Sequence, residues 1–228
     1  MSIKKDDAIQ EILVEFEKLT NTVFEQVDYM EHFVTSRELK IPDEALSFIK
    51  KNEKEIDKME VKLSDKIVNV IVLHKPVASD LRRIFACYRI LLNLERIGDL
   101  VINITEFLQK IKTPEIYYSF HEVLTNTAVL SAKMVRKAVL SFTNDDRELA
   151  IWTIKNDTIM DEINNKMLKK LVNKADSAEK NKHLLTSIIT IKEMMSNLER
   201  IGDYATNIAE AAIYSIDGKD IRHHKLEE

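Results

Sequence analysis

Glu95 and Asp99 stand four residues apart, so one turn of helix places both carboxylates on the same face. At 100° per residue, Asn103 lies about 80° round from Glu95 and Glu106 about 20° round. The four oxygen-bearing side chains therefore share one polar stripe. Glu199, Asp203, Asn207 and Glu210 reproduce the pattern. A second kind of stripe precedes each: Glu53, Asp57 and Glu60 before the first, and Asp157, Asp161 and Asn164 before the second. Like charges at this spacing cost a few tenths of a kcal/mol each, even on an open helix. A cation held between facing pairs removes that cost. All-oxygen donors suit hard ions such as Mg²⁺, Mn²⁺ or iron. No histidine recurs beside the stripes, which disfavours a His-rich zinc site. No Glu-x-x-His pair stands at a suitable position, which disfavours a ferritin-type di-iron oxidase. One isolated Glu-x-x-x-Asp is common and is usually a solvated face. Four acid-x-x-x-Asp pairs in matched positions are far more specific.

The match is set by an internal repeat. Asn-Leu-Glu-Arg-Ile-Gly-Asp occurs at 93–99 and again at 197–203, an offset of 104 residues. The same offset pairs Asn103 with Asn207, Glu106 with Glu210, Lys51-Asn52 with Lys155-Asn156, Glu53 with Asp157 and Asp57 with Asp161. A constant offset over so long a stretch implies two homologous halves with no net insertion between the matched segments. The halves are not identical. Asn164 replaces Glu60 and Leu184 replaces Asp80, so the second site is expected to bind metal more weakly. Gly98 and Gly202 occupy equivalent places inside the stripes, although an internal helical glycine costs roughly 1 kcal/mol. Close helix packing, or room for an ion or partner, would justify them.

The elements that must carry these stripes are helices. The chain has 228 residues with 45% hydrophobic and 32% charged side chains, but only 3 Gly and 3 Pro, which favours long helices over a turn-rich β fold. Pro42, Pro76 and Pro114 mark helix starts. The pattern predicts six helices, at roughly 4–38, 42–74, 76–112, 114–143, 145–175 and 180–216, with Asp145 and Asp146 opening the fifth and an irregular tail at 218–228. Residues 1–112 form the first half and 113–217 the second. Asp57 and Glu95 each lie about 19 residues from Pro76, so an antiparallel pair brings their stripes to one height.

Other residues read as packing or local structure. Cys87 lies in an apolar run, is expected in the core, and as a single cysteine indicates a reducing compartment. Trp152, Met160, Met167, Met194 and Met195 read as core, His74 as a loop residue, and His223-His224 as inert. Asp80, Arg82 and Arg83 follow Pro76 and serve either as helix-terminal charge or as a contact surface; Arg96 and Arg200 pair with the stripes or with a partner. The net charge of −4 gives no basic footprint for nucleic acid. The first residues read as an amphipathic helix and not as a signal peptide, and no apolar run approaches 18 residues, so no segment is expected to span a membrane.

With LERIGDLVINITE (94–106), LERIGDYATNIAE (198–210), PVASDLRRI (76–84) and GKDIRHH (218–224), joined to the acid-x-x-x-Asp partners at Glu53/Asp57 and Asp157/Asp161, the sequence resembles the PhoU family over nearly its whole length. The resemblance implies an all-α protein of six long helices in two pseudo-symmetric three-helix bundles. It implies mono- or multinuclear metal sites (iron, manganese, magnesium or zinc) on Glu53, Asp57, Glu95 and Asp99, and on Asp157, Asp161, Glu199 and Asp203. Glu60, Asn103, Glu106, Asn207 and Glu210 then stand as additional ligands or as residues that orient ligands. It also implies a cytoplasmic, non-enzymatic negative regulator of phosphate uptake and of the phosphate-starvation response. Such a regulator contacts the ATPase subunit of a phosphate ABC transporter and a sensor histidine kinase, meets the membrane only through those partners, and forms a homodimer. Two rivals remain at this point: a carboxylate-cluster metallohydrolase acting on phosphoesters, and a plain helical scaffold. The sequence holds no phosphate-binding glycine loop and no nucleophile elbow to favour the first.

Overall fold

A computed structural model describes residues 2–176 and 181–222. Six helices follow one another: α1 (Ser2–Thr35), α2 (Asp43–His74), α3 (Ala78–Lys110), α4 (Pro114–Thr143), α5 (Arg147–Asp176) and α6 (Lys182–Asp217). The six predicted helices are all present, and their ends differ for local reasons. Pro76 precedes α3 instead of starting it. Lys75 takes a left-handed conformation that closes α2, its N–H donating to the Ile71 carbonyl, and Val77 is extended. His74 is thus the last residue of α2, not a loop residue. Asp145 turns the chain at φ 52°, and Asp146 caps α5, its Oδ1 accepting the N–H groups of Glu148 (3.0 Å) and Leu149 (3.1 Å). Asn181 does the same for α6, accepting from Leu184 N at 3.1 Å. Gly218 ends α6 in the left-handed region at φ 71°, its N–H returning to the Tyr214 carbonyl. The tail residues His223 and His224 lie outside the described residues.

Within each half the three helices touch one another, α1–α3 in the first and α4–α6 in the second. The halves join chiefly through α3 and α6, with further contacts between α1 and α4. The result is two layers: α2, α3, α6 and α5 side by side, backed by α1 and α4. α3 and α6 run antiparallel. Arg82 lies beside Gly218 at one end, Asn207 Nδ2 donates to Asn93 Oδ1 at 3.4 Å further along, and Ser187 Oγ accepts from Lys112 N and Thr113 N, both at 2.9 Å, at the other end.

The core is continuous across this seam. Ile90, Leu94, Ile97 and Val101 of α3 and Met194, Leu198, Ile201 and Ala205 of α6 are all buried. Phe16 of α1 meets Phe142 of α4 edge to face at 5.4 Å, and the Tyr117 hydroxyl donates to the Val34 carbonyl at 3.2 Å. Cys87 is fully buried, and burial pushes its thiol up to about 12, so it is a packing residue without thiolate character. Met160, Met167, Met194 and Met195 are buried as expected. Trp152 is half-buried, with the ammonium groups of Lys133 and Lys137 at 5.2 and 4.8 Å from its ring.

Candidate metal centre

The repeat places its paired acids on neighbouring helices, Glu53, Asp57 and Glu60 on α2 beside Glu95 and Asp99 on α3. Buried residues at regular helical spacing fix which way each stripe turns. Ile49, Asn52, Ile56 and Leu63 face inward on α2; Leu94, Ile97, Gly98 and Val101 do so on α3. The carboxylates occupy the remaining edge. Glu53 and Glu95 are half-buried, while Asp57 and Asp99 are exposed.

Their mutual electrostatics establish that the two helices share one acidic site. Burial raises the Glu53 carboxyl above its ordinary value, followed by the charges of Asp57 and, across the helix pair, Asp99. Glu95 is raised by burial, then by Asp99, Asp57 and Glu60, with Arg96 acting against them. Asp99 is raised by burial and then by Asp57, again opposed by Arg96. The second half behaves alike. Asp157 is raised by burial, then by Asp161 and Glu199. Asp203 shifts furthest, from 3.8 to about 6, through desolvation first and then through Asp157, Glu199 and Asp161, with Arg200 pulling the other way. The outer edge of Asp203 is nonetheless open to solvent.

The remaining stripe residues divide. Glu60 accepts the Ser64 hydroxyl at 2.9 Å and adds to the charge at Glu95. Its counterpart Asn164 donates to Glu199 Oε2 at 2.5 Å, relieving that carboxylate with a neutral amide. Glu106 pairs with Lys50 (3.7 Å), which lines the same cavity as Glu53 and Asp99, and with Lys110 (3.8 Å), so its charge is met by ammonium groups. Asn103 lines a shallow cavity with Glu53 and Asp99; Asn207 reaches across the seam to Asn93; Glu210 lies within electrostatic range of Arg89 and Arg222.

Among the described residues, no three His, Cys, Asp or Glu side chains converge closely enough to form a ready ligand set. The donors nonetheless fit a hard cation in kind. They are carboxylates crowded from two helices, and Glu53, Glu95, Asp99, Asp157 and Asp203 hold their protons more tightly than free carboxylates do. One of them, Asp157 Oδ1, is buried without a hydrogen-bond partner. Thr206 stands beside it and favours the charged form, but falls short of hydrogen-bond geometry, so the Thr206 hydroxyl is unpartnered as well.

The glycines have distinct surroundings. A Cβ on Gly98 would meet Gln26 Oε1 at 3.1 Å and Ile56 Cδ1 at 3.4 Å, so α3 lies tight against α1 and α2 there. At Gly202 the nearest atoms, from Met160 and Met134, stand at an ordinary 3.5–3.6 Å. The residues after Pro76 are largely engaged within the chain. Asp80 accepts from Lys5 Nζ at 2.5 Å, and Arg83 holds both oxygens of Asp145 (2.7 and 2.9 Å) while covering the Phe142 ring. Arg82 packs against Gly218, with its Nε buried and unpartnered. Arg96 is exposed, and Arg200 donates to the Tyr204 hydroxyl at 3.3 Å. The return of residues 218–222 onto α3 was not foreseen from the sequence pattern. Ile221 packs against the core there, and Asp220 approaches Arg89 at 4.0 Å. The available signal was a lone apolar residue three positions after a helix-ending glycine.

No described helix is long and apolar enough to cross a membrane. The chain is 30% identical over 217 residues to a phosphate-specific transport system accessory protein PhoU homolog of Xylella fastidiosa (strain Temecula1), spanning 95% of this chain and 86% of that protein. It is 28% identical over 179 residues to the homolog of Pseudomonas aeruginosa, spanning 77% and 71%. The crystal structure of PhoU from Pseudomonas aeruginosa superposes with a TM-score of 0.80 at 23% identity, covering 94% of this chain and 99% of that one. That of the phosphate transport system regulatory protein PhoU from Streptococcus pneumoniae gives 0.80 at 21%, covering 95% and 98%. The PhoU domain model matches residues 16–108 and 124–212, once on each side of the α3–α4 turn, and the chain belongs to the PhoU family.

Proposed function

We propose that this chain is a metal-dependent adaptor of phosphate transport, restraining uptake and the starvation response when phosphate is plentiful. The observation that carries the reading is the doubled acidic site, in which carboxylates from two neighbouring helices crowd together in each half, and partial burial, then the neighbouring charges, raise Glu53, Glu95, Asp99, Asp157 and Asp203. Its relatives' description as accessory proteins of phosphate-specific transport supplies the process. Glu53, Asp57, Glu95 and Asp99 would hold ions in the first half, and Asp157, Asp161, Glu199 and Asp203 in the second. The bound ion, iron, manganese, magnesium or zinc, would supply positive charge on a face that is otherwise acidic. That change of sign is what a docking partner would read. The partners proposed are the transporter's ATPase subunit and a phosphate-sensing histidine kinase. The setting is the cytoplasm, the protein acts as a homodimer, and its task is regulation and not catalysis.

Elemental analysis of the purified protein tests the site. Bound metal should fall when Glu95→Ala and Asp99→Ala are combined, and unchanged content would overturn the assignment. Pull-down should recover the transporter ATPase or the kinase; absence of both would remove the adaptor role. Deletion of the gene should raise phosphate uptake in replete medium, and no change would leave the regulatory reading without support.

A further inference from the structure

Beyond the carboxylates, the outer layer holds a cluster of opposite charge. The chain after α6 turns at Gly218 and runs back over α3. Asp220 binds Arg222 through Nε (2.9 and 3.0 Å) and Nη2 (2.5 Å), which fixes the Arg222 guanidinium beside that of Arg89. A cavity of about 500 Å³ lies between them. Arg89, Arg96 and Arg222 line it, with the carboxamides of Asn93 and Asn207 and the stripe carboxylates Glu60 and Glu95.

Arg89 is the central residue of this cluster. Its side chain is only 16% exposed, yet its Nη1 is buried without a hydrogen-bond partner. Asp220, at 4.0 Å, is too far to satisfy it, and the Tyr214 ring at 6.0 Å gives only a weak π contact. A buried guanidinium N–H left open costs free energy, and because the same side chain lines the cavity, a small shift of it would bring that N–H to an acceptor held there. The repeat adds a second observation. The position 104 residues after Arg89 is Glu193, which pairs with Lys192 at 3.0 Å. Arg96 recurs as Arg200, but Arg89 has no basic counterpart, so duplication alone does not account for the cluster.

We propose that Arg89, Arg96 and Arg222, with Asn93 and Asn207, form a binding site for a tetrahedral phosphate-class oxyanion, either free phosphate or a phosphoryl group on a small metabolite. Guanidinium forks match such oxyanions in pairs, and the second N–H of each carboxamide, the first being given to the Arg89 carbonyl by Asn93 and to Asn93 Oδ1 by Asn207, completes the donor set. The site rests in part on the metal reading, because Glu60 and Glu95 repel an anion until a cation covers them. With the cation in place the same edge attracts.

The test uses the full chain, chelated or loaded with manganese, titrated calorimetrically with inorganic phosphate and separately with ATP. Manganese content and helical circular dichroism are recorded for each variant. Arg89→Gln should weaken binding by about tenfold or more, and Arg222→Gln, an exposed position that spares the fold, by several-fold, with manganese content unchanged. Lys169→Gln, an exposed lysine on α5, should change nothing. Tighter binding of phosphate than of ATP assigns the free ion, and the reverse assigns a carried phosphoryl group. Wild-type protein that binds neither, or arginine variants that bind as wild type does, would overturn the site. Failure to take up manganese would sink the metal reading alone; the arginine comparison would then be decided on protein carrying Glu60→Gln and Glu95→Gln, in which the repelling charges of the cavity are gone.

Discussion

Replacing Asp203 with Asn removes the most strained charge in the second acidic site. Its carboxyl is raised from 3.8 to about 6. At about 1.4 kcal/mol per unit the shift corresponds to about 3 kcal/mol. Because the outer edge of Asp203 is exposed, solvent screening reduces the usable part to about 1 kcal/mol. The folded carboxyl holds its proton more tightly than the unfolded one. Its contribution is therefore fully present below about pH 4 and is lost as pH rises through about 6. In chelator near neutral pH, Asp203→Asn should be more stable than wild type by about 1 kcal/mol, a rise in Tm of about 2–4 °C for a chain of this size. The advantage should vanish near pH 4. Adding Mn²⁺ should reverse the order, because ligand binding stabilises the wild type and the variant has lost a donor. Thermal denaturation at several pH values, with chelator and with Mn²⁺, measures each part. A variant no more stable than wild type in chelator near neutral pH, or an advantage that does not change with pH, would refute the electrostatic account of the site.

Gly202→Ala should stabilise the protein by up to about 1 kcal/mol in chemical denaturation, since its Cβ meets only ordinary contacts. Gly98→Ala should gain nothing or lose, because its Cβ would press on Gln26, which is buried and tied by its Nε2 to the Ile49 carbonyl at 3.1 Å. Asn164→Glu should raise metal uptake by the second half and lower metal-free stability, read by elemental analysis and melting temperature, since it exchanges the amide donated to Glu199 for a further charge. Ser187→Ala should cost about 1 kcal/mol in urea denaturation, because the buried Ser187 Oγ accepts from both Lys112 N and Thr113 N at the partly exposed α3–α4 turn.

Six helices and their order were legible because proline punctuation and apolar spacing are local signals. The two stripes were legible because the repeat supplied two copies to compare. What was not legible depended on tertiary placement. Glu106 shares the stripe's angle with Glu95, yet Lys50 and Lys110 pair with its charge. Asp80 and Arg83 are the same residue types that a docking surface uses, and only the fold reveals that Lys5 and Asp145 hold them. The two glycines are identical in sequence context but differ in crowding, because Gln26 comes from α1, distant in the chain. Arg89 sits in an unremarkable apolar run. Its importance emerges only once residues 218–222 have folded over it.

The antiparallel pairing of α3 with α6 means that each copy of the repeated segment lies against the other copy. Two half-length chains would need the same side chains at both ends of such a seam, because a twofold axis repeats every residue. Joined in one polypeptide, the ends are released from that requirement. Arginine can stand at position 89 while glutamate stands at 193, and glutamate at 60 while asparagine stands at 164. Fusion thus allows one end of the molecule to specialise without altering the other.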